Sequence, residues 1–456
     1  MAAFAAYGPP GQSRIVTDNI FGQIELTPLM CEIIDTPQFQ RLRNLKQTGA
    51  AYHVWPGASH NRFEHSLGTA HLAGLMVESI HRRQPELGIT ARDIACVKIA
   101  GLCHDIGHGP FSHLWEDYMS LAQPEAKWTH EEQSERMFDH LIDDNNVPLP
   151  PQDVAFIKDL IAGAVKHSSV HEIPERTFLF EIVANKRNGL DVDKWDYISR
   201  DMEATGDRGN YSPLLLIHSA RVIDGEICYG LSDVHNVVSL LQARYRLYAL
   251  YNQPDIKAFE GMLVDAFLLA DEALRISSRV NSPRRFLHLT DDIVAEIDRS
   301  EDPRLTEAQQ IVRRIHTSDL YAIAEAVYLA WPLPTSVRKQ LTPATIVNAA
   351  RRLGSQHLLS TELREGDVLV DITPMHWGMK DKDPFATIKF YKDWDAQTAA
   401  LLGTGQLSLL RPQVFAEVAV KVFARDQRYV EVIQAALHAI LPKTFLNGQV
   451  NPSEAI

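Results

Sequence analysis

The most informative run of the chain is Gly101-Leu102-Cys103-His104-Asp105-Ile106-Gly107-His108-Gly109-Pro110. The residues that lead into it, from Arg92 onward, are mostly apolar and predict a buried helix over about 91–106. A buried helix that ends in an imidazole and a carboxylate needs a partner that binds or neutralises both groups. A divalent metal ion is the simplest such partner, because it accepts imidazole nitrogen and carboxylate oxygen together.

The composition is that of an ordinary globular protein with one large domain and a smaller lobe. The chain has 456 residues, of which 45% are hydrophobic and 23% are charged, and its formal net charge is −13. This acidic balance argues against non-specific coating of nucleic acid, which needs clustered lysine and arginine, and leaves only weak nucleic-acid contacts open. The four cysteines form no C-x-x-C pair, so we expect free buried thiols.

The N-terminal residues and the apolar runs of the sequence indicate the cellular compartment of the protein. The first residues show no basic region followed by an apolar stretch, and no apolar run approaches the length of a membrane span. We therefore expect an intracellular protein of the cytoplasm or nucleus with no membrane partner. Residues 1–12 and 446–456 are expected to be disordered tails.

The hydrophobic pattern predicts a mainly α fold, with a helical core over 13–280 and a smaller C-terminal α/β lobe over 281–445. The core should open on a hairpin or extended arm. Its helices are predicted at about 30–48, 61–83, 91–106, 130–143, 152–165, 176–186, 191–204, 212–223, 234–251 and 254–278. The lobe is predicted to contain two helices between 304 and 330, strands at 367–373 and 386–391, and closing helices at 411–424 and 426–441.

Three further segments support a metal site, whereas a lone His-Asp pair is more often structural. His65 follows Asn61, a good helix N-cap residue, although a single core histidine would be the simpler interpretation. Asp193, Tyr197 and Asp201 fall on one helix face, bordered by Lys194, and would line a pocket unless that face is solvated.

The third segment contains the surplus histidines, His108, His113 and His130. Chance clustering on a solvated loop is the alternative, but Gly107, Gly109 and Pro110 predict a tight turn that aims the rings together. The order His65, His104, Asp105, Asp193 provides two imidazoles and two carboxylates for one ion. Such an ion lowers the pKa of a bound water, and the surplus histidines could act as general acids or phosphate ligands.

At these residues the chain resembles the HD phosphohydrolase superfamily, whose pattern is H…HD…D. Longer runs resemble the HD-domain deoxynucleoside triphosphate triphosphohydrolases of animals, which carry a sterile-alpha-motif domain before the HD domain. These runs are 34–43, 56–65, 101–113, 127–131 and 185–197. The resemblance is strong from about Arg14 to Asp271 and patchier to about Ala424. Only about a dozen residues precede the matching region, so we expect no sterile-alpha-motif domain.

The resemblance implies a dNTPase that releases a deoxynucleoside and inorganic triphosphate and controls dNTP pools. It implies iron, zinc or manganese at His65, His104, Asp105 and Asp193, and Mg2+ on the substrate and activator nucleotides. The implied catalytic group is His113, as the acid, with His130, His108 and Glu116, the last standing where the family has an aspartate. The implied substrate contacts are Gln47, Arg62, His108, His113, Lys194, Tyr197, Asp201 and Tyr251.

The resemblance also implies activation by GTP and dNTPs at subunit interfaces of a homo-oligomer, either a dimer or a tetramer. Guanine would be read by Asp35, Gln40 and Arg43, with Arg14 beside them, on an activator-binding arm. The alternative for Asp35 is a residue that only begins a helix before Pro37. Arg221 matches a phosphate contact of a second activator site.

The second activator site departs from the family. Basic residues expected near Gly230 and Ser232 and around 402–405 are missing, and Tyr248 and Ala249 replace a paired arginine segment. We therefore expect weaker or different regulation at this site. Separately, we expect the C-terminal lobe over 281–445 to serve regulation and oligomerisation. Two other functions are left open: an HD phosphodiesterase or nucleotidase on other nucleotides, and a nucleotide-sensing or nucleic-acid-binding scaffold.

Overall fold

The computed structural model describes residues 12–168, 174–354, 359–403, 406–407 and 412–441. The predicted tails at 1–12 and 446–456 lie outside the described residues, apart from Gln12. The predicted fold class, mainly α with a smaller α/β lobe, is confirmed. None of the described helices is long and apolar enough to span a membrane.

The chain divides into two units that alternate along the sequence. The first comprises residues 1–244, 274–296 and 384–411, and the second comprises 245–273, 297–383 and 412–456. We predicted a single boundary near residue 280. The regulatory and oligomerisation role that we predicted for a separate C-terminal lobe stays a prediction.

Helices dominate the chain. They are α1 (Pro28–Ile34), α2 (Pro37–Gln40), α3 (Arg62–Arg83), α4 (Ala91–Cys103), α5 (Leu114–Ala122), α6 (His130–Asn145), α7 (Pro151–Ala162), α8 (Phe180–Val183), α9 (Val192–Thr205), α10 (Pro213–Ser219), α11 (Val234–Tyr251), α12 (Pro254–Leu274), α13 (Pro283–Phe286), α14 (Ile293–Arg299), α15 (Thr306–His316), α16 (Thr335–Gln340), α17 (Pro343–Leu353) and α18 (Val430–Ile440).

Nine strands form three small sheets among the described residues. They are β1 (Arg14–Asp18), β2 (Gly22–Leu26), β3 (Arg221–Ile223), β4 (Glu226–Gly230), β5 (Ala322–Ala330), β6 (Val368–His376), β7 (Lys389–Tyr391), β8 (Ala400–Leu401) and β9 (Ala416–Ala424). In the first unit β1 and β2 form the predicted hairpin, and the second sheet has the order β3-β4-β7-β8. In the second unit β9 lies between β5 and β6, antiparallel to both.

Several helix predictions were wrong, and each has a local cause. The predicted helix over 30–48 breaks at Thr36-Pro37, where Thr36 Oγ1 accepts the backbone N–H of Phe39 and a new short helix begins. The predicted helix over 411–424 is instead β9, whose alternating valines suit a central, buried strand. The second of the two helices predicted between 304 and 330 is instead the strand β5. The last residues of the helix predicted over 212–223 form the strand β3. The helix α5 was not predicted.

Two glycines bring together the helices that carry the candidate site. A Cβ atom at Gly101 of α4 would lie 3.1 Å from the Ala70 Cα atom of α3, so these helices pack with their backbones close together. A Cβ atom at Gly68 of α3 would lie 1.7 Å from a carboxylate oxygen of Asp196 on α9. Side chains at either glycine would push apart the helices on which His65, His104 and Asp193 lie.

Candidate metal centre and active site

Four predicted ligands meet between α3, α4 and α9. His65 lies in the opening turn of α3, His104 and Asp105 directly follow α4, and Asp193 opens α9. The Nε2 atom of His65 lies 3.1 Å from His104 Nε2, 3.2 Å from Asp193 Oδ1 and 3.4 Å from Asp105 Oδ2. His104 Nε2 lies 3.3 Å from Asp105 Oδ1 and 3.4 Å from Asp193 Oδ1.

These distances fit ligands of a single ion. Nitrogen and oxygen ligands about 2.0–2.2 Å from a divalent ion lie about 3.0–3.5 Å from one another. The set of two imidazoles and two carboxylates is also one that iron, zinc and manganese accept. His65, His104 and Asp193 form a group of donor atoms that could hold one ion. The residues present therefore fit the divalent metal that the sequence analysis predicts.

The second nitrogen of each imidazole has its own oxygen partner. His65 Nδ1 lies 2.7 Å from Asp196 Oδ2, and His104 Nδ1 lies 2.9 Å from the carbonyl oxygen of Gly101. A ring that donates its Nδ1–H to oxygen carries a lone pair on Nε2, the atom that a metal needs. Both rings are thus held in the metal-binding orientation and tautomer.

Asp196 belongs to a buried charge network that the sequence analysis missed. Arg200 donates to its carboxylate from Nε at 3.1 Å and Nη2 at 2.8 Å, and Asp18 pairs with the same guanidinium at 2.9 Å. The spacing of Asp196 and Arg200, four residues apart on a helix, was the available signal. Nothing in the sequence identified Asp18 as the third member.

The imidazoles and carboxylates of the centre shift one another's pKa values in opposite directions. Burial by itself lowers the pKa of His65, but Asp105, Asp193 and Asp196 raise it well above its ordinary value. Burial would raise the pKa of Asp193, yet His104 and His65 lower it far below the usual range. The carboxylates beside the two histidines therefore favour a positive charge at this point, which a bound cation would supply.

The three surplus histidines form one cluster beside this centre. The ring of His108 stacks on His130 with centroids 4.0 Å apart, and His113 stands edge-on to them at 5.3 Å and 5.5 Å. Glu116 Oε1 lies 2.5 Å from His130 Nδ1. His108 Nε2 lies 3.3 Å from Asp105 Oδ1, which links the cluster to the candidate metal centre.

Two imidazoles of the cluster have pKa values that are shifted in opposite directions. Burial lowers the pKa of His130, but the hydrogen bond to Glu116, together with the negative charges of Glu131, Asp105 and Glu116, raises it above its ordinary value. The surrounding protein atoms, with the charges of His130 and Arg62, lower the pKa of His113, although its side chain remains exposed to solvent on one side.

The predicted phosphate contacts also lie beside the centre. Arg62 pairs through Nη1 with Asp105 and donates from Nε to Ser112 Oγ at 2.8 Å. Lys194 Nζ lies 2.8 Å from Asp191 Oδ2, whereas the Tyr197 ring lies 6.5 Å from that of His65. An adjoining pocket is lined by His104, Asp105, His130, Glu131, Ile161, Val183, Ala184, Asn185, Lys186, Asp191, Asp193 and Lys194.

Three further residues were predicted to contact the deoxyribose and the base. Asp201 is buried and lies 2.6 Å from His60 Nε2 through its Oδ1 atom. Gln47 is buried, and its Oε1 atom has no hydrogen-bond partner among the described residues. Tyr251 belongs to the second unit, so its contact with substrate stays a prediction.

The predicted guanine-reading residues form two interacting pairs. Arg14 donates to Asp35 from Nη1 at 2.7 Å and from Nη2, and the Asp35 side chain is 45% exposed. Arg43 Nε donates to Gln40 Oε1 at 2.8 Å, while its guanidinium lies 3.5 Å from the Phe63 ring centroid.

Arg221, the predicted phosphate contact of a second activator site, already has partners within its own chain. Its guanidinium donates to the carbonyl oxygens of Trp394 and of Ala396, the latter at 3.0 Å. Its predicted role stays a prediction.

Sequence comparisons find similar proteins. The family model of the HD domain matches residues 62–201. The deoxynucleoside triphosphate triphosphohydrolase SAMHD1 of Bos taurus is 38% identical, over 94% of this chain and 77% of its own length. The Homo sapiens protein of the same name is 39% identical over 90% of this chain and 70% of its length. A Dictyostelium discoideum homolog is 35% identical over 98% and 84%.

Proposed function

The chain belongs to the SAMHD1 family of HD-domain deoxynucleoside triphosphate triphosphohydrolases, and we propose that it hydrolyses dNTPs to a deoxynucleoside and inorganic triphosphate. The observation that carries this proposal is the convergence of four side chains, His65, His104, Asp105 and Asp193, beside a cluster of three histidines. A monophosphate nucleotidase would need only the centre, whereas Arg62 and Lys194 add two cationic side chains suited to a longer polyphosphate.

The reaction joins water to the α-phosphorus and breaks the bond from that phosphorus to the 5′ oxygen. A bound divalent ion would supply Lewis acidity toward the phosphate and help to activate water. Arg62 and Lys194 would orient the charged phosphates, with Mg2+ shared among them. Their present partners, Asp105 and Asp191, hold both cations at the edge of the centre.

His113 would donate a proton to the departing 5′ oxygen. Its pKa is lowered in the free protein, so the bound triphosphate must raise it, as nearby negative charge does. His130 would help to maintain this arrangement, because its bond to Glu116 keeps it protonated at higher pH than an ordinary histidine. His108, stacked on His130, would contact phosphate.

We also propose that guanine nucleotides activate the enzyme through Asp35, Gln40 and Arg43, that it works as a homo-oligomer, and that it controls dNTP pools. The exposed Asp35 carboxylate supports guanine reading, because each oxygen can accept a further N–H beside Arg14. Arg43 could donate to the O6 atom of the base. Arg221 supports a second nucleotide site only weakly, since its guanidinium is already bound by backbone carbonyls.

Product analysis tests the proposed reaction. Purified protein given dGTP and Mg2+ should release deoxyguanosine and inorganic triphosphate in equal amounts. Asp193→Asn should lose both products and its metal, whereas Glu203→Gln, an exposed change on the same helix, should match the wild type. Release of orthophosphate or pyrophosphate without triphosphate would refute the proposal in favour of another nucleotidase.

A further inference from the structure

One partly buried carboxylate outside the proposed site holds two segments of it together. Asp291 Oδ1 accepts the backbone N–H of Phe111 at 2.7 Å, and its Oδ2 accepts that of Lys46 at 2.8 Å. The backbone N–H of Asp291 in turn donates to the carbonyl oxygen of Asn44 at 3.1 Å. Phe111 stands two residues before His113, and Lys46 stands three residues after Arg43.

The loop held by Asp291 has an unfavourable backbone conformation. Phe111 and Ser112 have φ angles of 56° and 62°, in the left-handed region that residues other than glycine rarely adopt. Such a conformation persists only where the surroundings enforce it. The position of His113 therefore depends on the contacts that fix Phe111 and Ser112.

A second set of bonds connects the same two segments to the metal centre. Ser112 Oγ donates to the carbonyl oxygen of Lys46 at 2.6 Å and accepts from Arg62 Nε at 2.8 Å. Arg62 also pairs with Asp105. The backbone carbonyl of Phe111 packs so closely on Gly49 that a Cβ atom there would lie 2.5 Å from the carbonyl oxygen. The loop at residues 111–113 and the activator-binding arm, which we define as residues 14–46, are therefore joined by hydrogen bonds at Lys46.

Pairing with a cation does not explain this carboxylate. No arginine or lysine among the described residues lies within ion-pair distance of Asp291, and burial raises its pKa to about 6 despite the two backbone N–H groups. Arg41, whose positive charge lowers the pKa of Asp291, instead donates to the carbonyl oxygen of Leu289 at 2.5 Å. Taking a carboxylate partly out of water costs free energy, which the two backbone N–H groups that it accepts offset.

We propose that Asp291 is a positioning residue, which fixes the loop that carries His113 and ties it to the guanine-reading segment that ends at Lys46. This inference rests on the proposed function of both segments. Movement of the arm on nucleotide binding would reach the catalytic histidine through two hydrogen bonds on one carboxylate. Asp291 itself does not touch substrate.

The test compares Asp291→Asn with the wild type in dATP hydrolysis, with and without GTP. Asparagine offers one acceptor oxygen in place of two, so one of the two backbone N–H groups loses its partner. We expect kcat to fall by about tenfold to a hundredfold, as small displacements of catalytic groups do, while KM and metal content stay near wild-type values. The stimulation ratio produced by GTP should fall toward one.

Ser112→Ala provides a second variant in case Asp291→Asn does not fold. It removes the hydroxyl that joins Lys46 to Arg62 and should lower kcat and the GTP stimulation in the same way. The matched control is Asp159→Asn, which alters a fully buried carboxylate that accepts the backbone N–H groups of residues 166–168. The control should lose thermal stability but keep its kcat and its response to GTP.

The outcomes separate this inference from the proposed function. If the wild type releases no triphosphate, the proposed function fails. If the wild type is active and responds to GTP, and Asp291→Asn has wild-type kcat and stimulation, the inference is overturned. A lowered kcat with an unchanged stimulation ratio would refute the link to the arm, and an equal loss of kcat in Asp159→Asn would show a merely structural effect.

Discussion

Replacing Asp196 with asparagine tests how the protein prepares His65 for metal. The Asp196 carboxylate is fully buried and accepts from His65 Nδ1 at 2.7 Å and from Arg200 at 2.8 Å and 3.1 Å. Asparagine keeps the size but removes the charge, and its amide group would face a donor. The variant should therefore hold the imidazole less firmly in the tautomer whose Nε2 accepts a metal.

Two magnitudes follow from these contacts. Loss of a carboxylate that orients a metal-bound histidine typically weakens metal affinity by about 10–100-fold. Breaking a buried ion pair costs about 3–5 kcal/mol, and we expect the lower end, about 3 kcal/mol, because Asp18 still neutralises Arg200. Burial opposes ionisation of Asp196, but Arg200 and His65 lower its pKa. The wild-type advantage should therefore be present above about pH 4 and fade as the pH falls through the lowered pKa.

The assay is competitive metal binding together with chemical unfolding of the metal-free protein. Asp18→Asn is the matched control, since it removes the other carboxylate of Arg200 without touching His65. It should lose stability but keep its metal affinity within about twofold, because its effect on the imidazole is indirect. Wild-type metal affinity in Asp196→Asn, or an equal loss in Asp18→Asn, would refute the reasoning.

Three further predictions concern charge, metal and activation. Glu116→Gln removes one of the carboxylates that raise the pKa of His130, the one that is hydrogen-bonded to it, so the alkaline limb of the pH–kcat profile should move to lower pH; an unchanged profile would contradict this role. Removing metal with a chelator should abolish triphosphate release, and adding back manganese, iron or zinc should restore it, whereas full activity of metal-free protein would exclude the proposed centre. Asp35→Asn should raise the GTP concentration that gives half-maximal stimulation of dATP hydrolysis by about tenfold, which is the effect of losing one charge-assisted hydrogen bond. An unchanged GTP titration would mean that Asp35 has only a structural role.

The helical core was largely predictable because its elements have clear boundaries. Asn61 precedes α3, and Glu64 accepts the backbone N–H of Asn61 at 3.1 Å, as a capping residue three positions into a helix should. The run that ends at His104 and Asp105 is apolar enough to predict a buried helix, and α4 lies there. By contrast, β9 was predicted as a helix, because a short apolar run has no periodicity that separates a buried strand from a buried helix.

The candidate site was predictable as a set of residues but not as a network. The motif in the sequence predicted that His65, His104, Asp105 and Asp193 share one site, and these side chains lie together in the structure. Asp18 and Asp291 could not be found in this way, because each acts through contacts between segments 182 and 180 residues apart in sequence. Partners at such separations are fixed by tertiary packing, which leaves no local pattern in a single sequence.

Anomalous diffraction from crystals of the metal-loaded protein would test the central claim most directly. The account predicts one strong peak about 2.0–2.2 Å from His65 Nε2, His104 Nε2 and the carboxylates of Asp105 and Asp193. A peak held by other residues, or no peak between these four side chains in catalytically active protein, would contradict it.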